Sequence, residues 1–375
     1  MVFRAFVCII LTVALFFALP LNCLAWQSRE LSLSAKSAAL IDAESGDILF
    51  AKNASARLPM ASTTKIVTAL VAAELLPSEQ IIRIPREAVG IEGSSVYLCE
   101  NELLTVEQLL YALLLESAND AAAALAIRAS GSIEEFAKKC NEKAASLGLR
   151  DTNFTNPHGL YDENHYTTAL DLALLTAEAL KNPLIRKICA SKTAKIPLGV
   201  TKEQPNGAGV RHLKNHNKML SSYEGAIGVK TGFTKKSGRC LVSAAERDGL
   251  TLIAVTLNAP DDWRDHTAML DFGFENYEAR TIFGAGEFCY DFPVSNGEVL
   301  YVRAKNVSPI KITVKKDAPP HTANVEACFR FAVAPVTKGQ ILGKVIVRIE
   351  GKTLSSSLVA VSSVAKLKHK PSFFD

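Results

Sequence analysis

The sequence predicts an α+β protein: an antiparallel sheet flanked by helices, followed by a small all-β domain. Three observations carry this. Apolar segments free of Gly and Pro, such as Ile66 to Leu76, read as helices. Three strand-like runs, Ala226 to Lys230, Cys240 to Ala245 and Leu252 to Leu257, are separated by short polar turns containing glycine. That pattern is an antiparallel meander. From Gly297 onward, strand-type segments dominate.

The chain opens with Arg4 as the only charge before the apolar run Ala5 to Leu21, and Cys23-Leu24-Ala25 offers small residues for cleavage. This reads as an export signal cut after Ala25. The run is near the lower limit for spanning a bilayer, so a retained membrane helix is the alternative. Lipidation at Cys23 is disfavoured by Asn22. Ala38 to Phe50 reads as two strands around the turn Ala43-Glu44-Ser45-Gly46. Ile66 to Leu76 is the candidate central helix. Leu104 to Leu115 and Asp120 to Ala129 are further helices, with Ser117-Ala118-Asn119 in their connection. Thr168 is placed to cap a helix starting at Ala169. The meander follows, then a closing helix over Thr267 to Phe272. The composition changes near Tyr277. Beyond it Val299 to Arg303, Ile310 to Lys315, Val325 to Phe331, Val345 to Ile349 and Leu358 to Val361 read as strands. Turns fall at Asn296-Gly297, Pro319-Pro320 and Glu350-Gly351. The expected organisation is an export signal (1–25), an α+β domain (26–277), a β domain (278–362) and a short basic tail (363–375). The tail either touches an anionic membrane surface or is a solvated frayed end.

Composition narrows the function. Losing Arg4 with the signal leaves 41 basic against 38 acidic residues, a formal charge of +3. That near-neutrality excludes a dedicated nucleic-acid surface, which needs a dense basic stripe. The remaining cysteines, Cys99, Cys140, Cys189, Cys240, Cys289 and Cys328, form no C-x-x-C pair, so they suggest neither zinc nor thioredoxin chemistry. Export permits disulfides, but a domain this large does not need them. The even spread reads as isolated buried thiols.

Ser62-Thr63-Thr64-Lys65 begins the central helix, just after Pro59. Residues three apart share a helix face, so the lysine amine can reach the serine hydroxyl. A serine needs such a base to become a nucleophile at neutral pH. The first turn of a helix and burial both disfavour an ammonium, so Lys65 is expected to be a neutral base. Ser308-Pro309-Ile310-Lys311 and Ser363-Val364-Ala365-Lys366 share the spacing and are read as chance. What sets the first apart is the ordered pair that follows: Ser117-Ala118-Asn119, then Lys230-Thr231-Gly232. Each also has a plainer reading. Ser117 and Asn119 suit a helix cap, and Lys230-Thr231-Gly232 suits a strand end. It is no phosphate loop, because Val229 stands where glycine is required. His158 and His165 are expected to organise a loop. His212 and His216 lack a third ligand for zinc.

The ordered set Ser-x-x-Lys, Ser-x-Asn, Lys-Thr-Gly is the signature of penicillin-binding proteins and class A β-lactamases. Over roughly residues 33 to 362 the chain resembles the serine D-alanyl-D-alanine carboxypeptidases, the low-molecular-mass penicillin-binding proteins. Further matches are Asp42-Ala43-Glu44-Ser45-Gly46, Asn156-Pro157-His158-Gly159-Leu160, His165 to Asp171, Gly228 to Thr234 with Ser237-Gly238, and Arg264. The Asn-Pro-His-Gly-Leu string belongs to the carboxypeptidases rather than to β-lactamases. The resemblance implies a β-lactamase/transpeptidase-like fold and acyl transfer through Ser62, with Lys65 as general base. It implies an oxyanion hole from the amides of Ser62 and Phe233, proton relay by Ser117, and positioning of substrate or Lys65 by Asn119. Lys230, Thr231, Gly232, Phe233 and Arg264 would bind substrate, Arg264 through its terminal carboxylate; a surface ion pair is the alternative for Arg264. Peptidoglycan stem peptides would be substrates and β-lactams covalent inhibitors, with no metal or organic cofactor. The rival functions are a β-lactamase, for which Glu163 is the nearest carboxylate, a D,D-endopeptidase, and a non-catalytic wall-binding or β-lactam-sensing protein.

Overall fold

Five strands build the central sheet: β1 (Ser37–Asp42), β2 (Ile48–Lys52), β7 (Ala226–Thr234), β8 (Gly238–Arg247) and β9 (Leu250–Leu257). Their order is β2–β1–β9–β8–β7, antiparallel throughout. The computed structural model describes residues 31–199, 209–319, 323–329, 331–349 and 351–367. The export segment and residues 368–375 of the tail lie outside these, as do Pro320 and Glu350 of the expected turns. Every residue of β1 is buried, and nearly all of β9, so both faces of this sheet are covered.

The central helix is α1 (Lys65–Leu75), preceded by a 3-10 turn at Ala61–Thr64, and it is buried from Lys65 to Ala72. Around it pack α2 (Val106–Leu115), α3 (Asn119–Ser130), α4 (Ile133–Ser146) and α5 (Ala169–Lys181), with α6 (Pro183–Ala190) against β7. Thr168 caps α5 by accepting from the Asp171 amide. Thr105 and Gln108 cap α2 reciprocally. That helix starts later than the sequence suggests, because Leu103–Thr105 is a short strand, β4, paired with β3 (Ile81–Arg83). A further small pair joins β5 (Thr193–Pro197) to β6 (Val210–Lys214). The closing helix α7 spans Asp262–Asn276 rather than Thr267 to Phe272. Its first turns are too polar to show an apolar period, so Arg264 lies inside the helix, not before it.

Tyr277 starts the β region: β10 (Tyr277–Phe283), β11 (Cys289–Ser295), β12 (Tyr301–Asn306), β13 (Ile310–Lys315), β14 (Asn324–Phe329), β15 (Ala332–Val333), β16 (Ile341–Ile349) and β17 (Lys352–Ala360). β10 pairs with β13, and the rest form a sheet in the order β14–β16–β17–β12–β11–β15. Burial alternates residue by residue along β12 and β13, turning Val302, Ala304, Ile310 and Ile312 into a core around Phe292. β10 and β11 precede Gly297 and were not anticipated, since polar residues and Pro293 interrupt them. The two regions meet where the β1–β2 turn touches the β sheet. Thr313 Oγ1 donates to Asp42 Oδ2 at 3.0 Å, and Lys352 Nζ to Asp47 Oδ2 at 2.5 Å.

All six described cysteines are free. Cys140, Cys189 and Cys240 are buried, but Cys99, Cys289 and Cys328 are exposed, which corrects the expectation that all are buried thiols. Among the described residues no helix is long and apolar enough to cross a membrane.

Candidate active site

Ser62 sits in the 3-10 turn that feeds α1. Ala61 before it has φ +49°, a left-handed conformation uncommon for a residue with a side chain. Two threonines hold the turn: Thr63 Oγ1 donates to Met60 O at 2.7 Å and Thr64 Oγ1 to Ala61 O at 2.8 Å. One helical turn beyond Ala61, Lys65 is completely buried. Its Nζ lies 3.0 Å from Ser62 Oγ, 2.7 Å from Asn119 Oδ1 and 2.6 Å from His158 O. None of these three neighbours is a carboxylate. Burial, then the charge of Lys230, push the Lys65 amine well below the usual lysine range, and Asp120 partly opposes them.

Asn119 begins α3, and its amide is oriented by Nδ2 donating to Glu92 O at 2.5 Å. Its backbone amide donates to Ser94 O at 2.7 Å. Ala118, not Ser117, is the cap residue of α3, and no side chain caps it. Ser117 is 4% exposed with φ +61°, a second left-handed residue at the site. Asn119 therefore holds Lys65 instead of capping its helix, and Ser117 occupies a conformation that costs on the order of 1–3 kcal/mol.

Lys230 is buried in the middle of β7, and its Nζ donates to Thr231 O at 2.9 Å. Burial pushes it down to about 7, against smaller opposing effects from Cys189 and Glu116. Next along the strand, Gly232 faces the nucleophile turn. A Cβ there would stand 2.9 Å from Ser62 N and 3.1 Å from Thr63 N, so a larger residue would crowd the backbone of the Ser62 turn. Phe233 follows with 64% of its surface exposed. Thr231 is partly exposed. Arg264, in the first turn of α7, is exposed and makes no ion pair among the described residues. Ser62, Lys65 and Asn119 are joined by direct contacts; Gly232 abuts them; Arg264 is not linked to them by any described contact. Glu163 is exposed on a loop.

The sequence motifs omit two parts of this site. The first is the carbonyl of His158. Gly159 (φ +87°) packs so tightly that a Cβ would collide with the Ala61 carbonyl. The loop from Asn156 to Leu160 thus rests directly on the nucleophile turn. His165 anchors it, with Nε2 2.7 Å from Thr64 Oγ1 and Nδ1 accepting from Thr155 N at 3.0 Å. Burial drives His165 down to about 4 and His158 to about 3, so both rings stay neutral and serve as hydrogen-bonding struts. The second is Asp120, 1% exposed, which accepts from Ser95 Oγ at 2.6 Å and Leu98 N at 3.0 Å and fixes the loop facing Asn119. Its place immediately after Ser-x-Asn was the available signal.

The sequence profile of the D-alanyl-D-alanine carboxypeptidase family matches residues 25–261, and that of the penicillin-binding protein 5 C-terminal domain matches residues 277–366. The D-alanyl-D-alanine carboxypeptidase DacF of Bacillus subtilis is 34% identical over 349 residues, covering 91% of this chain and 88% of that protein. The D-alanyl-D-alanine carboxypeptidase of Streptomyces sp. strain K15 is 36% identical over 249 residues, 61% of this chain and 83% of its own. The crystal structure of penicillin-binding protein 5 from Haemophilus influenzae superposes with a TM-score of 0.65 at 29% identity, over 89% of this chain and 98% of that one.

Proposed function

The chain belongs to the D-alanyl-D-alanine carboxypeptidase family, and on that premise we propose how its residues divide the reaction. It is a serine D,D-carboxypeptidase that removes the terminal D-alanine from peptidoglycan stem peptides. Ser62 Oγ attacks the carbonyl between the two D-alanines while Lys65 takes its proton. The amides of Ser62 and Phe233 stabilise the oxyanion. As the C–N bond breaks, Ser117 gives its hydroxyl proton to the leaving amine and takes the one held by Lys65, which returns to its neutral form, and the ester on Ser62 remains. Lys65 then takes a proton from water as that water attacks the ester, and returns it to Ser62 Oγ as the acyl group leaves. Lys230, Thr231 and Arg264 bind the substrate's terminal carboxylate, and an arginine fork suits this. β-Lactams acylate the same serine, as they do in the family.

One observation supports this division above the others: a buried lysine, depressed in proton affinity, stands 3.0 Å from Ser62 Oγ with only neutral hydrogen-bond partners. The test is to incubate the protein with a stem pentapeptide and weigh the products. Loss of one alanine is expected, with a single penicillin adduct that is absent in Ser62→Ala. Cleavage of an internal cross-link instead would make it an endopeptidase. Rapid penicillin turnover without an adduct would make it a β-lactamase.

The same reading extends to location. Residues 1–25 have the composition of a cleavable export signal, and a wall substrate lies outside the cytoplasm. The enzyme acts in the cell envelope as a peripheral protein. High-salt or alkaline washing should release it with residues 1–25 removed. Retention with that segment attached would show an uncleaved anchor instead.

A further inference from the structure

Glu116 stands where a carboxylate is disfavoured. It is the C-terminal cap residue of α2, at the negative end of that helix's dipole, after the buried run Leu113-Leu114-Leu115. Its side chain is only 25% exposed. Both oxygens are held from the end of β6. Oε1 accepts from Lys214 N at 2.5 Å, and Oε2 lies 3.3 Å from His216 Nε2. Asn215, between these two residues, is bolted to the end of α6. Its amide donates to Lys192 O at 2.9 Å, and its Nδ2 donates to Cys189 O and Ser191 O, each at 3.1 Å. β7 rests on the same anchor, because a Cβ on Gly228 would stand 2.8 Å from Cys189 Cβ. Glu116 therefore ties the end of α2 to the support of the strand that carries Lys230.

The next residue is Ser117, in its left-handed conformation. Ser117 Oγ makes no hydrogen bond among the described residues, so the backbone on either side places it. On one side Asn119 N donates to Ser94 O; on the other the Glu116 carboxylate grips the end of β6. The carboxylate also acts through its charge. Burial lowers Lys230 to about 7, and Cys189 and Glu116 oppose it. Burial also pushes the Cys189 thiol up to about 12, so that group is uncharged near neutrality. The opposing charge is then that of Glu116. From α1, Lys65 is the other amine involved, and the charge of Lys230 disfavours its own. β8 sets the apolar Val242 opposite Lys230.

We infer that Glu116 is a positioning residue of the acyl-transfer site: it holds Ser117 in its left-handed conformation against the end of β6 and lends its negative charge to Lys230. The inference rests on the roles proposed above, in which Ser117 passes a proton to the leaving amine and Lys230 binds the terminal carboxylate. Strain at Ser117 persists only where the surrounding structure enforces it, and Glu116 supplies that constraint on the helix side. A cationic Lys230 binds a carboxylate better than a neutral one, so the same side chain acts on both ends of the scissile D-alanine.

Two variants separate position from charge. Glu116→Gln keeps a carbonyl oxygen that can accept from Lys214 N but loses the charge, whereas Glu116→Ala loses both. Stem-pentapeptide hydrolysis and penicillin acylation of Ser62 are followed across the pH range around the Lys230 transition. Glu116→Ala should lower kcat at least about tenfold, and Glu116→Gln should keep it within about threefold of wild type. Lys230 must be protonated to bind the carboxylate, so kcat/KM falls as pH rises through its value. Both variants should move that alkaline limb to lower pH by at least about half a unit, because an opposite charge favouring the ammonium is gone. The control Glu107→Gln removes a carboxylate of the same helix that lies 3.5 Å from Lys187, and should match wild type throughout. A wild-type kcat in Glu116→Ala would overturn the inference. So would an alkaline limb that stays in place in both variants, since a residue that merely braces the fold would leave it unmoved. If Glu116→Ala does not fold, the limb in Glu116→Gln decides. Wild type that takes penicillin but leaves the pentapeptide intact would defeat the carboxypeptidase reading, and the acylation rates would then decide the inference by the same comparison.

Discussion

Between Leu33 and Asn276 the chain buries Lys65, Glu102, Asp120, Lys230, Asp262 and Asp265 almost completely; between Tyr277 and Leu367 the buried polar side chains described are Asn306 and Ser356. A buried charge costs several kcal/mol unless it is paired and hydrogen-bonded. Most in the first region are. Glu102 meets Arg211, Asp262 meets Arg239, and Asp265 accepts from Ser34 and Ala35. Lys65 and Lys230 are different: each has only neutral hydrogen-bond partners. The β region is assembled from alternation and apolar packing, with no such cost. Under the proposed mechanism, the contrast locates where the molecule gives up stability for reactivity, at the two lysines assigned to the reaction.

The largest effect should come from the nucleophile. Ser62→Ala should lower D-alanine release by on the order of 10^4-fold or more while leaving thermal unfolding unchanged. Residual turnover near wild type would place the chemistry elsewhere. Lys65→Met sharpens the comparison, because it should act in opposite directions on two readouts. Peptide turnover should fall by roughly 10^2- to 10^4-fold, and the thermal midpoint should rise as a desolvated amine disappears. A lower midpoint would mean that Lys65 stabilises the fold and would break the contrast.

Arg264→Ala should cost about 1.5–3 kcal/mol of carboxylate binding. That is roughly a 10- to 150-fold loss in kcat/KM on a free-acid peptide. An amidated peptide should be poor for wild type and nearly indifferent to the change. Equal harm to both peptides would assign Arg264 to the fold.

Lys230 allows a test by pH. Its folded value is about 7 against 10.5 for an ordinary lysine. Between those values the unfolded chain holds more protons, so wild-type stability should rise with pH across that window. Lys230→Met should therefore be more stable than wild type by several degrees below pH 7, with the gap closing toward pH 10.5. A constant gap would rule out titration of Lys230. The smallest effect should be at the joint, where Lys352→Ala should cost less than about 1 kcal/mol in chemical denaturation, as a partly exposed pair does.

The spacing of Ser62 and Lys65, the meander and the Thr168 cap were legible because each depends on a local pattern of side-chain types. The contact of His158 O with Lys65 was not, since a carbonyl is common to every residue and only the fold decides which one arrives. Arg264 was misplaced relative to its helix because Asp261-Asp262-Trp263-Arg264-Asp265 shows no apolar period. β10 and β11 were missed because half-buried strands with interleaved charge carry a weak signal. The exposure of Cys99, Cys289 and Cys328 depends on which face of its element each occupies, which even spacing along the chain does not encode.

The three neighbours of Lys65 can be read as a count of hydrogens. A neutral amine has two hydrogens and one lone pair. His158 O can only accept, and so can Asn119 Oδ1, which the Nδ2 bond to Glu92 O turns toward the amine. Those two oxygens use both hydrogens. The lone pair is then the one position left for Ser62 Oγ, so the serine must aim its own hydrogen at the nitrogen that will remove it. If the amine gains a third hydrogen, that place is filled and the serine proton turns away. The valence of a single nitrogen thus sets whether the nucleophile is cocked or idle, and an oxygen from a backbone carbonyl enforces the rule.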